Sequence, residues 1–288
     1  MINYINRETG KTETELTPGE KLMEILYSTI PGKLPLELLV KRKIVSSLMG
    51  KYMSSKLSRK RISKFINDYS IDMSLFVEAE YENFNQFFAR KIKPECRPIG
   101  ENIVSPADGK IMGYQNVSDI NKIFVKGTEF TLSGFLQNSS LTEKYKNGSM
   151  LIVRLAPVDY HRFHFPADGK VSKTETIKGD YYSVSPIALK EKVDLLFRNK
   201  RTISTLTNEK YGDILISEVG ATMVGSIIQT YDSNQSVKKG TEKGYFEFGG
   251  STVVLIFEEG KITIDEDIIQ NSNKGYETSI KMGEQIAS

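Results

Sequence analysis

Apolar residues change their spacing partway along this chain. Leu22, Met23, Ile25, Leu26 and Ile30 recur on one helix face, and they follow Thr17-Pro18-Gly19-Glu20. That start has a capping threonine, a proline at the first helical position and a glutamate three residues after the cap. Pro31-Gly32 and Pro35 end the pattern, after which Leu36, Leu38, Leu39, Val40, Ile44, Val45, Leu48 and Met49 predict a second helix with a wide apolar face. A third helix is expected over about 58–69 and a fourth over about 83–90, where Phe84, Phe87 and Phe88 share a face. Residues before 17 are mixed and predict a short strand or a loose tail.

Past Pro98 the runs become short, β-branched and punctuated by Gly, Asn and Asp. Residues 110–114, 149–155, 213–219 and 252–257 read as strands, and helical patterning is confined to about 122–136 and 186–197. The expected fold class is α+β. An amphipathic helical region over 1–98 precedes a β-rich, mostly antiparallel body over 99–288.

Composition narrows the function classes. A chain of 288 residues that is 39% hydrophobic can bury a sizeable core. No apolar run reaches bilayer length, and Met1-Ile2-Asn3-Tyr4-Ile5 lacks the basic start and apolar centre of a secretory signal, so a cytoplasmic location is the default expectation. The single Cys96 excludes an internal disulfide, and with two histidines it cannot make a structural zinc set, so no metal is expected. A net charge of +3 is too small to point to nucleic acid.

That charge is unevenly placed. Lys33, Lys41, Arg42, Lys43, Lys51, Lys56, Arg59, Lys60, Arg61 and Lys64 face only Glu37 over the same stretch. An apolar helix face bordered by cations suits the interface of an anionic membrane. A soluble helical subdomain with a solvated basic face has the same pattern.

Candidate chemistry lies in three places. Pro-Ala-Asp-Gly occurs twice, at 106–109 and 166–169, each time as tight-turn chemistry in front of a strand, and offers Asp108 and Asp168 in exposed turns. Both histidines of the chain, His161 and His164, lie in Ala156-Pro157-Val158-Asp159-Tyr160-His161-Arg162-Phe163-His164. As a strand this segment puts them on opposite faces; a helical turn opened by Pro157, the favoured reading, puts them on one face. Finally, Phe248-Gly249-Gly250-Ser251-Thr252 runs into the apolar stretch 253–257. It reads as a glycine turn entering a buried strand, or as a peptide bond exposed beside a serine nucleophile that a His and an Asp could activate.

Four segments in order decide between these readings. Ser-Pro-Ala-Asp-Gly-Lys at 105–110, Tyr-His-Arg-Phe-His at 160–164, Val-Gly-Ala-Thr-Met-Val-Gly-Ser-Ile at 219–227 and Lys-Gly-Thr-Glu-Lys-Gly-Tyr-Phe-Glu-Phe-Gly-Gly-Ser-Thr-Val-Val at 239–254 resemble the phosphatidylserine decarboxylases of prokaryotic type. Asn-Phe-Asn-Gln-Phe-Phe-Ala-Arg at 83–90 and Lys-Met-Gly-Glu at 281–284 are lesser matches. The resemblance runs from about the second helix to the C-terminus.

It implies a pyruvoyl enzyme that makes its own cofactor. Ser251, His164 and Asp108 would form the triad through which the serine attacks the Gly250 carbonyl. β-Elimination and hydrolysis would then leave a β chain of 1–250 and an associated α chain of 251–288 headed by a pyruvoyl group. Thr252 could not replace Ser251, because elimination from threonine gives a longer keto acyl group. Removing CO₂ from an amino acid needs an electron sink, and a ketone joined to the substrate amine as a Schiff base supplies one. His161 is expected to deliver the proton that replaces CO₂, and Asp168 is expected to serve its turn alone.

The implied substrate is phosphatidylserine and the product its ethanolamine counterpart. The implied location is peripheral, on the cytoplasmic side of the cell membrane against anionic lipid, and a homodimer of chain pairs is compatible with the resemblance. Two rivals stand beside it: a pyruvoyl decarboxylase for another amine, and a non-enzymatic membrane-binding β module whose Gly-Gly-Ser-Thr is only a turn.

Overall fold

The structure, a computed structural model, describes residues 2–15, 43–123, 130–179, 198–220 and 226–288. The helices expected over 17–30 and 186–197, the start of the second helix and the middle of the 219–227 motif lie outside the described residues. The chain begins as a hairpin of β1 (Ile2–Ile5) and β2 (Thr12–Glu15). This hairpin joins the main sheet, so the helical region expected over 1–98 is preceded by strands that belong to the body.

The second expected helix is seen as α1 (Lys43–Met53). The third becomes a 3₁₀ turn over Lys56–Lys60 followed by α2 (Arg61–Asp68). Ser58 accounts for the break. Its buried hydroxyl donates back to Met53 O and Ser55 O and accepts from Phe84 N, drawing the turn against α3 (Phe84–Phe88). Asn83 caps α3 by accepting from Gln86 N. Phe84, Phe87 and Phe88 bury the face that their spacing predicts, against Met53.

The body follows as β3 (Ile103–Val104), β4 (Gly109–Tyr114), α4 (Ile120–Ile123), α5 (Leu132–Leu136), α6 (Ser139–Tyr145) and β5 (Ser149–Leu155). Over 122–136 the described chain thus holds the ends of two short helices, the second capped by Thr131. Next come β6 (Arg162–His164), β7 (Gly169–Val171), β8 (Glu175–Ile177), β9 (Arg201–Asn208), β10 (Gly212–Gly220), β11 (Ile227–Gln229) and β12 (Ser236–Val237). The chain ends with β13 (Glu242–Phe246), β14 (Ser251–Phe257), α7 (Glu266–Asn273), β15 (Glu277–Ile280) and β16 (Gln285–Ala287).

Among the described residues, one sheet runs in the order β12-β7-β9-β10-β14-β5-β4-β15-β1-β2, with β8 also on β9. Its pairings are antiparallel except β1 with β15. A smaller sheet, β11-β13-β6, covers one face of it. The fold is therefore α+β with a mostly antiparallel body.

Strand β14 explains its own composition. It pairs with β10 on one edge and β5 on the other. Val254 and Ile256 pack with Phe135, Met150 and Leu215 on one face, while Val253, Leu255 and Phe257 pack with Phe163, Phe246 and Ile268 on the other. A strand covered on both faces has no reason to alternate with polar residues, hence the unbroken apolar run.

One buried ion pair ties the two sheets together. Lys243 Nζ on β13 donates to Glu218 Oε1 on β10 (2.8 Å) and to Gln229 Oε1 (2.8 Å), with both charged side chains fully buried. Thr202 and Gln229 donate to Glu218 Oε2. Lys243→Met should lower stability by about 3–5 kcal/mol, because it leaves an uncompensated buried carboxylate. Adding Glu218→Gln should recover part of that loss, and urea unfolding of the single and double variants measures both.

Candidate active site

Ser251 is the first residue of β14, with its Cα opposite Gly220 and Leu155. Its hydroxyl and that of Thr252 are fully buried, and neither has a hydrogen-bond partner among the described residues. Successive strand residues point to opposite faces. Ser251 therefore shares the side of Val253 and Leu255, toward the layer of Phe163 and Phe246 from the histidine-bearing small sheet, while Thr252 points away from it.

The segment before Ser251 is gripped by α3. Phe248 makes edge contacts with Phe84 (5.3 Å between centroids) and Phe88 (5.2 Å), and its N–H donates to Asn85 Oδ1 (3.0 Å). Gly249 follows at φ 147°, a backbone region that favours glycine. The N-terminal helical region thus touches the stretch that leads into Ser251.

The Pro157 turn forms but stops short of the histidines. Asp159 N donates to Ala156 O (2.9 Å) and Asp159 Oδ2 accepts from Ala156 N (2.7 Å), after which the chain is extended into β6. The expectation of both histidines on one helical face is corrected here. Pairing of β6 with β13 keeps the segment extended, and the two rings have different surroundings.

His161 is fully buried, 3.9 Å between centroids from Phe88. Its Nδ1 donates to Asp159 O (2.9 Å), which leaves the lone pair on Nε2; that atom has no hydrogen-bond partner among the described residues, and the Gly249 backbone is one of the groups that act on the ring. Burial lowers its pKa to about 3, helped by the positive charge of Arg90 and opposed by the Asp159 and Gly249 backbones. His164 donates from Nδ1 to Gly240 O (2.9 Å) and accepts at Nε2 from the Tyr160 hydroxyl (3.2 Å). Burial depresses its pKa as well, while the Gly240 carbonyl, Glu242 and Asp108 favour the protonated form.

Asp108, expected in an exposed turn, is buried. Arg97 donates to it through Nε (2.9 Å) and Nη2 (2.5 Å), and Met282 N donates to Oδ1 (2.8 Å). His164 N donates to Pro106 O (2.7 Å), which ties the histidine backbone to the Asp108 turn. The structure therefore brings Asp108 near His164 and His161 near Gly249. No hydrogen bond joins Asp108 to His164, and the Ser251 hydroxyl is bonded to neither histidine.

The second Pro-Ala-Asp-Gly has the same backbone task without the burial. A Cβ at Gly109 would lie 2.2 Å from Arg154 O and one at Gly169 2.5 Å from Thr207 O, so both turns need glycine for close approach. Asp168, in contrast, is exposed and accepts from Lys239 N (2.7 Å).

Sequence reasoning missed Asn85, Arg97, Asp159 and Tyr160 as partners of the site. Asn85 reaches a partner far along the chain and Arg97 reaches across a turn to Asp108, pairings that no periodicity reveals. Asp159 and Tyr160 were in view beside the histidines, but only the turn closed by Asp159 shows what they hold.

Comparison with known proteins gives the family. A model of the phosphatidylserine decarboxylase family matches residues 84–288. The chain is 49% identical to the phosphatidylserine decarboxylase proenzyme of Fusobacterium nucleatum, covering 100% of this chain and 97% of the relative. It is 48% identical to the proenzyme of that name from Clostridium tetani, over 99% of this chain and 98% of the relative. This chain belongs to the phosphatidylserine decarboxylase family.

His161 also sets a pH dependence. Its pKa is about 3 in the fold against an ordinary 6.5, so the unfolded chain binds a proton that the folded chain refuses. The associated stability is complete above 6.5 and declines as pH falls toward 3, by about 1.4 kcal/mol per pH unit. His161→Gln should reduce the slope of stability against pH by about one proton's worth between about pH 6 and 4, measured by urea unfolding across that range.

Proposed function

We propose that the protein cuts its own Gly250–Ser251 bond, converts Ser251 to a pyruvoyl group and removes CO₂ from phosphatidylserine at a membrane surface. The observation that carries this reading is the buried Ser251 hydroxyl, unpartnered among the described residues and directly after two glycines, with the His161 ring near enough to feel the Gly249 backbone. An orphaned buried hydroxyl costs stability, about 1–3 kcal/mol, and a role in chemistry explains why it is kept.

In maturation, Ser251 Oγ bonds to the Gly250 carbonyl carbon as the Gly250–Ser251 C–N bond breaks, and the hydroxyl proton passes through a base to the freed amine. We assign the base to His164, whose Nδ1 is held on Gly240 O and whose Nε2 would have to leave the Tyr160 hydroxyl to take the Ser251 proton, with Asp108 near enough to favour its protonated form. Loss of the Ser251 α-proton and of the ester carboxylate then gives dehydroalanine, which water converts to the keto group and ammonia. Thr252 points to the other face, which supports Ser251 alone as the reacting hydroxyl.

A pyruvoyl group derived from Ser251 would supply the electron sink that loss of CO₂ from an amino acid requires. The residues present fit such a group: Gly249 and Gly250 carry no side chain, and Phe88 and Phe248 line the approach. His161 would relay a proton from water to the α carbon through Nε2, which carries none at rest. Burial keeps it neutral until negative charge develops beside it.

The two products of the cut stay together because β14 remains hydrogen-bonded to β10 and β5, both in the larger piece. Membrane contact falls to the N-terminal helical region, where Leu48 (63% exposed) and Leu57 (70%) lie among Lys51, Lys56, Arg59 and Lys60. Among the described residues no helix is long and apolar enough to cross a membrane, in keeping with peripheral binding.

Denaturing mass spectrometry should show two pieces, the smaller with a blocked start, while native mass spectrometry keeps them together. Ser251→Ala should abolish cleavage and decarboxylation. His161→Ala should leave cleavage intact and slow decarboxylation about 10²–10⁴-fold; equal loss of both refutes the division of roles. A chain that stays whole yet decarboxylates, or never cleaves, sinks the reading. The pair Leu48→Glu and Leu57→Glu should weaken sedimentation with phosphatidylserine vesicles, and unchanged binding would place the membrane contact elsewhere.

A further inference from the structure

A cavity of about 420 Å³ opens beside the cleavage segment, between α3 and β13. Its lining includes Ala79, Asn85, Arg90, Lys91, Arg162 and Tyr245. Asn85 is the residue that holds Phe248 N, so this cavity and the stretch before Ser251 share a wall.

Arg90 is the unusual member. It is 1% exposed, yet no carboxylate among the described residues lies within ion-pairing distance, and its Nε has no hydrogen-bond partner at all. Its remaining donors reach only backbone carbonyls, Val158 O at 3.2 Å and Phe87 O at 3.5 Å, and the guanidinium lies over the rings of Phe76 and Phe87. Several other cations here have carboxylate partners: Arg97 with Asp108, Arg154 with Glu277, Arg162 with Glu242, Lys243 with Glu218. Burial lowers the Arg90 pKa to about 10, which still leaves it charged near neutrality. A buried cation with an idle donor in a cavity wall lacks one thing, an anion.

The charge of Arg90 also acts on His161. An anion held by Arg90 would therefore sit near the reacting centre. Phosphatidylserine carries two, the carboxylate and the phosphodiester. A guanidinium on the carboxylate would stabilise the group that must leave as uncharged CO₂, holding the ground state more strongly than the transition state. On the phosphodiester, which is unchanged by the reaction, the same contact persists throughout and supplies binding alone.

We propose that Arg90 and this cavity bind the phosphodiester of the substrate headgroup, with the idle Nε as a donor to a phosphate oxygen. This rests on the decarboxylase reading above.

The test uses full-length protein and phosphatidylserine in mixed micelles. Arg90→Gln should self-cleave fully, raise KM about 10- to 100-fold and leave kcat within about threefold, with Arg90→Lys between it and wild type. Glycerophosphoethanolamine should compete in wild type and lose that effect in Arg90→Gln, while ethanolamine, which lacks the phosphate, should not compete. Should Arg90→Gln fail to fold or cleave, Ala79→Trp, at an exposed position in the cavity wall, decides: cleavage intact with a raised KM supports the proposal. An unchanged KM in the variant that cleaves, a fall confined to kcat, or inhibition by inorganic phosphate equal to that by glycerophosphoethanolamine overturns it. Wild type that neither cleaves nor decarboxylates overturns the decarboxylase reading itself.

Discussion

The structure depends on holding a hydroxyl-bearing residue at the start of a strand that is sealed on all sides. Ser251 lies between β10 and β5 at its edges and between two apolar layers at its faces. No side chain among the described residues satisfies its oxygen there. The cost of that orphan is offset by the ladder bonds and apolar packing of the rest of β14, in which Val253 to Phe257 are buried. The same double ladder means that breaking the Gly250–Ser251 bond would release no strand. A cut at this point removes a covalent link but leaves the sheet that both pieces share.

The second constraint is the grip of α3 on the residues before Ser251. Phe84 and Phe88 enclose Phe248, Asn85 fixes its N–H, and Phe88 also stacks against His161. One short helix thereby sets the approach to the bond and keeps an imidazole dry enough to stay neutral. This helix is also where the N-terminal helical region meets the sheet body, so the surface proposed for lipid contact adjoins the proposed chemistry. Arg90, two residues past the end of this helix, is part of the cavity wall while its side chain is almost wholly buried.

Asp108 and Asp168 show how little a motif says about environment. Both follow Pro-Ala and precede a glycine that must let a carbonyl come close. Arg97 and Met282 N close over the first, and nothing comparable covers the second. The histidines make a similar point. Both have Nδ1 fixed on a carbonyl, yet only His161 has a free Nε2, because Tyr160 reaches His164 and Phe88 closes off His161 without offering it a donor.

Much of the architecture was legible in local pattern. The strands over 149–155 and 252–257, the phenylalanine face of α3 and the change of character near residue 98 follow from periodicity and turn chemistry, which act over a few residues. The motifs also named Ser251, His161, His164 and Asp108 from residue type and order. What local pattern could not supply was which of these meet. It put both histidines on one face, placed Asp108 in an exposed turn and gave no hint of Arg97 or Asn85 as partners. Those outcomes depend on pairing β6 with β13 and on closing residues 97, 108 and 282 onto one another. Such contacts join residues far apart in the chain, and their energies enter only when the tertiary fold brings them into one volume. Sequence alone determined the residue types available for the chemistry. The tertiary structure decided which of them are buried, which are neutral and which cation was left without an anion.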